Sequence, residues 1–131
     1  MKFIVALDCD GTLFEGSWRD HGDPIMPVVQ QALRFCAHPD CDVILWTCRE
    51  ERLLVEAIER CEELGLKFNA VNTNTQEIFD WNQKNFGRQG GTAGRKIYAD
   101  LYVDDKAPGS IEYFLTLDPE EEFQKLKAKR N

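Results

Sequence analysis

The chain opens on Met1-Lys2 and then on the apolar run Phe3-Ile4-Val5-Ala6-Leu7, which leads directly into Asp8-Cys9-Asp10-Gly11-Thr12-Leu13. Five consecutive apolar residues, some of them β-branched, are too few for a buried helix and predict a strand that is buried on both faces. The acidic and glycine-containing residues that follow end this strand. A buried strand that runs into two aspartates is therefore the first structural element.

The rest of the chain alternates between short apolar runs and segments of helical periodicity. The short runs predict strands at 43–46, 68–71 and 101–103. Apolar residues at helical spacing, or charges that complement a helix dipole, predict helices at 28–36, 49–64, 76–86 and 119–130. This alternation predicts an α/β fold, a single Rossmann-like domain over 1–131 whose mostly parallel sheet is flanked by helices. The stretch 87–95 contains four glycines and predicts a mobile loop.

Polar residues follow three of the predicted strands. Asp8 comes after the first, Thr47 after the second, and the pair Asp104-Asp105 after the last. Ligands of open parallel sheets bind beyond the carboxyl ends of the strands. We therefore expect these residues, far apart in sequence, to meet at one edge of the sheet.

Composition limits the classes of function. The 131 residues are 43% hydrophobic and 30% charged, as in an ordinary globular domain, and the net charge of −7 disfavours non-specific binding to nucleic acid. The five cysteines form no Cys-x-x-Cys pair, which indicates reduced thiols. Neither a signal peptide nor a membrane-length apolar run is evident, so the sequence predicts a cytoplasmic protein that does not enter a membrane.

Asp8 and Asp10 share one face of an extended chain, where two carboxylates repel each other unless a cation or a proton separates their roles. Gly11 permits a sharp turn after them, and the hydroxyl of Thr12 can fix that turn. The pattern therefore indicates either a metal site or an acid–base pair, and a simple strand-ending turn is the alternative.

These residues resemble the motifs of the haloacid dehalogenase superfamily. Asp8–Leu13 is similar to its first motif, Thr47 after Val43–Trp46 to its second, and Asp104-Asp105 after Leu101–Val103 to its fourth. The resemblance spans essentially the whole chain and implies a phosphohydrolase, a phosphomonoesterase that works through an aspartyl-phosphate. No segment is long enough for the large cap domain of many members, so the chain resembles a capless phosphatase.

The resemblance also implies roles for single residues. Asp8 would attack phosphorus, Asp10 would protonate the leaving oxygen and then activate water, and Thr47 would hold a phosphoryl oxygen. A carboxylate that attacks a phosphate dianion needs a divalent cation, and oxygen ligands favour Mg²⁺. The metal ligands would be Asp8, the backbone carbonyl of Asp10 and one residue of the pair Asp104-Asp105. Asp105 is expected to bind directly and Asp104 behind it, although both could be in contact.

A positive side chain must offset the remaining negative charge. The family's third motif supplies a lysine, and Lys96 is the best candidate by resemblance, with Lys67 and Lys84 as alternatives. Arg49 could bind phosphate or substrate, or be an exposed arginine at a helix start. Cys9 and Cys48 border the expected site, as small packed residues rather than nucleophiles. The residues expected around the phosphate are therefore Cys9, Gly11, Thr12, Cys48 and Arg49.

The substrate itself is not encoded in these motifs. An open site suits a bulky phosphoester, including a 3′-phosphorylated oligonucleotide end, or a small one that a partner subunit of a homo-oligomer or the 87–95 loop encloses. The alternative to an enzyme is a phosphate- or partner-binding module that keeps the fold without turnover.

Overall fold

The computed structural model describes residues 1–17, 19, 22–87 and 96–130. All of the predicted loop at 87–95 except Gly87 lies outside these residues. Four strands and five helices follow one another in the described part of the chain: β1 (Phe3–Leu7), α1 (Met26–Ala37), β2 (Cys41–Leu45), α2 (Glu51–Glu63), β3 (Ala70–Val71), α3 (Gln76–Phe86), β4 (Leu101–Val103), α4 (Ser110–Leu115) and α5 (Pro119–Arg130). No helix among them is long and apolar enough to cross a membrane.

The strands form one parallel sheet in the order β3-β2-β1-β4. The central strand β1 pairs Val5 with Val43 of β2 on one side and with Leu101 of β4 on the other. The α/β fold with a parallel sheet flanked by helices is confirmed. Parallel pairing sets the carboxyl ends of β1, β2 and β4 side by side, which is the edge where the sequence predicted a site.

Alternate residues of β1 face two separate apolar clusters. Phe3, Val5 and Leu7 pack with buried residues of α1, α2 and α4, whereas Ile4 and Ala6 pack with α3 and Ile97. All five side chains are buried, because successive residues of a strand point to opposite faces and both faces carry helices. The continuous apolar run of β1 thus supplies side chains to the apolar clusters on both faces of the sheet.

The structure differs from the sequence prediction mainly in two short elements. The third strand is shorter than 68–71 and comprises Ala70 and Val71 only. The helix α4 was not predicted, because six residues are too few to show a helical period. Its Phe114 is fully buried and packs against Phe35 of α1 in a tilted arrangement, with ring centroids 5.3 Å apart.

We expect Phe35→Ala to lower the free energy of unfolding by about 3–5 kcal/mol, because it would leave a cavity between Phe3 and Phe114. Val55→Ala is the control, since Val55 lies on α2 and is 53% exposed, and it should change stability by less than about 0.5 kcal/mol. Urea unfolding of both variants measures the difference. Equal, small losses would mean that the aromatic cluster is not part of the core.

Candidate active site

A cleft of about 620 Å³ opens at the carboxyl edge of the sheet. Its walls come from the segments that follow β1, β2 and β4, as the positions of the polar residues predicted. The lining residues are Asp8, Asp10, Gly16, Ser17, Thr47, Cys48, Arg49, Glu50, Leu53, Asp104, Asp105 and Lys106. Residues separated by nearly a hundred positions in the sequence therefore share one concave surface.

Three carboxylates meet at the base of this cleft. Asp8, Asp104 and Asp105 each offer an oxygen, and the three oxygens lie within 4.8 Å of one another. The backbone N–H of Asp8 donates to the carbonyl of Val103 at 2.9 Å, which joins the end of β1 to the end of β4. The structure thus brings the predicted nucleophile and both predicted acidic ligands together.

Thr12 links the carboxylate of Asp8 to the backbone of Asp105. Its hydroxyl donates to Oδ2 of Asp8 at 3.2 Å and accepts the backbone N–H of Asp105 at 3.1 Å. Thr12 is fully buried and does not line the cleft. It therefore supports the acidic cluster instead of contacting a ligand, because both bonding directions of its hydroxyl are used inside the protein.

Gly11 lets the chain turn close to Asp105. Its φ of +84° lies in the left-handed region, and a Cβ at this position would lie 2.5 Å from Oδ2 of Asp105. A side chain here would be strained and would push the carboxylate away. Gly11 also lies outside the lining of the cleft, so its role is to allow the close approach.

Crowding and burial change the titration of Asp8. Burial, followed by the negative charge of Asp104, raises the pKa of Asp8 from 3.8 to about 7, although a hydrogen bond from the backbone N–H of Cys9 opposes the shift. A divalent cation would remove this cost, and carboxylate oxygens are the ligands that Mg²⁺ prefers. The donor set therefore fits Mg²⁺.

Thr47 is held at the rim by a neighbouring turn. Its backbone N–H donates to Oδ1 of Asn72 at 2.8 Å, and its hydroxyl accepts the backbone N–H of Arg49 at 3.1 Å. Asn72 follows β3 and has a φ of +54°, a conformation that asparagine tolerates better than most residues. The sequence analysis missed Asn72, and an asparagine directly after a short apolar run was the available signal.

Asp10 lines the cleft, but its carboxylate is engaged. The Nε and one terminal nitrogen of Arg49 donate to its two oxygens at 2.8 and 2.7 Å, in a bidentate ion pair. The hydrogen bond to Asp10 raises the pKa of Arg49 further. Arg49 is only 4% exposed, so the alternative of an exposed arginine is wrong.

The candidate lysines differ in their position relative to the cleft. The Nζ of Lys96 lies 5.0 Å from the ring centroid of Tyr102, and Lys96 does not line the cleft. Lys67 and Lys84 are also absent from the lining. Lys106 does line it, and its Nζ lies 3.9 Å from Oδ2 of Asp105. The sequence analysis missed Lys106, although it directly follows the acidic pair.

The two cysteines near the motifs differ in access. Cys9 is buried outside the cleft lining, and its burial, followed by the charge of Asp10, raises the pKa of its thiol to about 12. A protonated buried thiol is a packing residue, as expected. Cys48 is exposed and lines the cleft, so the expectation that it is a buried packing residue is wrong.

Asp8→Asn should stabilise the metal-free protein, and more at pH 8 than at pH 5. The folded protein retains the Asp8 proton up to about pH 7, whereas the unfolded chain loses it near pH 3.8, so wild-type stability falls as the pH rises between these values. We expect a gain of about 1–2 kcal/mol at pH 8 after allowance for solvent screening.

Urea unfolding in a chelator at both pH values measures this effect. Asp40→Asn is the matched control, because Asp40 lies at the opposite end of the sheet, where its carbonyl accepts the N–H of Phe3. A gain that is the same at pH 5 and pH 8 would contradict the raised pKa of Asp8.

A solved structure is similar to this chain. No protein-family model and no curated protein matches the chain. The structure of a conserved protein coded by a locus of Bacteroides thetaiotaomicron is similar, with 31% sequence identity and a TM-score of 0.64. The match covers 100% of this chain and 94% of that chain. The chain therefore belongs to the same family as this conserved Bacteroides protein.

Proposed function

We propose that the protein is a Mg²⁺-dependent phosphohydrolase in which Asp8 is the nucleophile, as its resemblance to the haloacid dehalogenase superfamily implies. The observation that carries the proposal is the convergence of Asp8, Asp104 and Asp105 at the base of an open cleft. Three crowded carboxylates, two of them partly buried, are costly without a cation, and active sites are where such costs concentrate.

The proposed reaction has two steps at Asp8. One Asp8 oxygen forms a bond to phosphorus while the bond to the leaving oxygen breaks, and the electron pair of that bond departs with the leaving group. Water then attacks the aspartyl-phosphate, releases inorganic phosphate and regenerates the carboxylate. Thr12 keeps Asp8 oriented through its hydroxyl throughout.

Asp8, Asp104, Asp105 and the backbone carbonyl of Asp10 would hold Mg²⁺. When bound, the ion would offset the charge repulsion between the carboxylates and the phosphoryl oxygens. Asp104 is constrained, since its Oδ1 already accepts the backbone N–H of Lys106 at 2.9 Å. This contact supports Asp105 as the direct ligand and Asp104 as the residue behind it.

The remaining lining residues supply binding and orientation. Thr47 faces the cleft at the end of β2, where its hydroxyl can also donate to a phosphoryl oxygen. Lys106 brings a positive charge to the opposite wall, which supports it over Lys96 as the cation of the site. Asp10 lies beside Asp8, where leaving group and water would pass.

The substrate class stays broad in this proposal. Between β1 and α1 the described residues form turns and isolated bridges and no cap domain, so the cleft is open to bulky phosphoesters. Oligonucleotides with 3′-phosphorylated ends remain candidates, although the net charge of −7 disfavours them. Five free thiols support a reducing compartment such as the cytoplasm.

A binding module is the second candidate. The ion pair between Asp10 and Arg49 supports it, because both Asp10 oxygens are engaged by the protein and not by a reacting group. A module of this kind would bind phosphate or a phosphorylated partner without turnover, and the same assays separate the two functions.

We expect hydrolysis of p-nitrophenyl phosphate to require Mg²⁺, to stop on chelation and to fall by at least about 10³-fold in Asp8→Asn, because the variant lacks the attacking oxygen. Asp40→Asn is the control and should keep wild-type activity. Near-normal activity of Asp8→Asn would exclude Asp8 as the nucleophile. Phosphate binding without turnover of any substrate in a broad panel would favour the module.

Lys106→Ala should lower kcat/KM for the same ester by about 10-fold or more, since it removes the cation at the cleft wall. Lys96→Ala should lose less, because Lys96 lies over Tyr102 and away from the lining. Steady-state kinetics at saturating Mg²⁺ gives the ranking. A larger loss in Lys96→Ala would restore Lys96 as the cation of the site.

A further inference from the structure

We propose that Arg49 is a positioning residue that acts through Asp10 and does not bind the phosphoryl group. The inference rests on the proposed phosphohydrolase function and deepens it, since it separates the roles of Arg49 and Lys106, the two cationic residues that line the cleft in the described part of the chain. Arginine beside a phosphate site normally suggests a phosphate ligand. The contacts of Arg49 indicate another role.

Each nitrogen of the Arg49 guanidinium has an acceptor within the protein. The Nε and one terminal nitrogen donate to the two oxygens of Asp10, and the other terminal nitrogen donates to the carbonyl of Leu53 at 3.2 Å. The side chain is 2% exposed, whereas that of Asp10 is 21% exposed. Both residues line the cleft, and Asp10 is the more accessible member of the pair.

The pair also resists competition from a ligand. A phosphate that took Arg49 would leave the carboxylate of Asp10 without its charged partner in a partly buried place, and breaking a buried ion pair by removing one partner is strongly destabilising. Lys106 has no such constraint, since its side chain is 88% exposed and its Nζ lies 3.9 Å from Asp105. Binding of a phosphoryl group to Lys106 therefore costs less free energy than binding to Arg49.

Arg49 connects two parts of the cleft through its backbone as well. Its N–H donates to the hydroxyl of Thr47, which fixes the turn after β2. Arg49 thus links the segment after β2 to the segment after β1. This link fixes the orientation of the Asp10 side chain. Loss of Arg49 should misplace Asp10 relative to Asp8, and a misplacement of about 1 Å can cost about 10²-fold in rate.

The test is a double-mutant cycle with Arg49→Met, Asp10→Asn and the double variant, assayed on p-nitrophenyl phosphate at saturating Mg²⁺. Arg52→Met is the matched control, because Arg52 lies three residues further along the chain, in the first turn of α2, and is 86% exposed with a weak ion pair to Glu56. The dissociation constant of inorganic phosphate is measured on every protein by calorimetry, which needs no turnover.

We expect Arg49→Met to lower kcat by about 10²-fold and to leave the phosphate dissociation constant within about 3-fold of wild type. The double variant should lose little beyond the worse single variant, because the two residues act as one unit. Arg49→Lys should recover part of kcat, since lysine keeps the charge but not the bidentate geometry. Arg52→Met should match wild type.

Weakening of phosphate binding by about 10-fold or more in Arg49→Met with kcat intact would overturn the inference, as would additive losses in the double variant. Where Arg49→Met fails to fold, Arg49→Lys decides by the same two measurements, reduced kcat with unchanged phosphate affinity being the expected pattern. Absence of Mg²⁺-dependent turnover in the wild type would instead overturn the proposed function, and the phosphate titrations would still show whether Arg49 binds phosphate.

Discussion

The hydrogen bonding of β1 between two parallel neighbours is the constraint on which the rest of the molecule depends. Because β2 and β4 both run parallel to β1, the segments that leave these strands emerge at one edge. The bond from the N–H of Asp8 to the carbonyl of Val103 continues this pairing past the end of the strand. This register determines the positions of Asp8, Asp104 and Asp105 at the base of the cleft.

The same register creates an electrostatic cost. Asp8, Asp104 and Asp105 are closer together than free carboxylates would settle, and the raised pKa of Asp8 expresses that cost. Two residues allow this arrangement. The hydroxyl of Thr12 bonds to the carboxylate of Asp8 and to the backbone N–H of Asp105, and the missing side chain of Gly11 leaves room for the carboxylate of Asp105. In the proposed function, a cation that binds here would find the three carboxylates already assembled, so its binding would need little rearrangement of the site.

A second layer of contacts orients the rim of the cleft. The side-chain oxygen of Asn72 accepts a hydrogen bond from the backbone N–H of Thr47. Arg49 forms an ion pair with Asp10 and donates its backbone N–H to the hydroxyl of Thr47. These residues belong to turns after β2 and β3, so these two neighbouring strands support the rim of the cleft, whereas the three clustered carboxylates follow β1 and β4. A small α/β domain can thus build a supported site without additional elements.

The sequence by itself determined the α/β class, the positions of β1, α3, β4 and α5, and the identity of the residues at the strand ends. Local apolar runs and charge patterns carry that information, because burial on both faces of a strand or on one face of a helix acts at the level of neighbouring residues. The convergence of Asp8, Thr47 and Asp104-Asp105 followed from the rule for parallel sheets. The short helix α4 escaped because six residues show no period.

Only the tertiary structure decided which polar and charged side chains contact one another. Four such placements depend on how loops from different strands pack together. They are the ion pair of Arg49 with Asp10, the hydrogen bond between Thr47 and Asn72, the position of Lys106 at the cleft and that of Lys96 over Tyr102. Sequence spacing states that a cation is near a motif but not where its side chain points. Partner choice among charged groups is a long-range balance of burial and hydrogen bonding, and that balance exists only once the chain is folded.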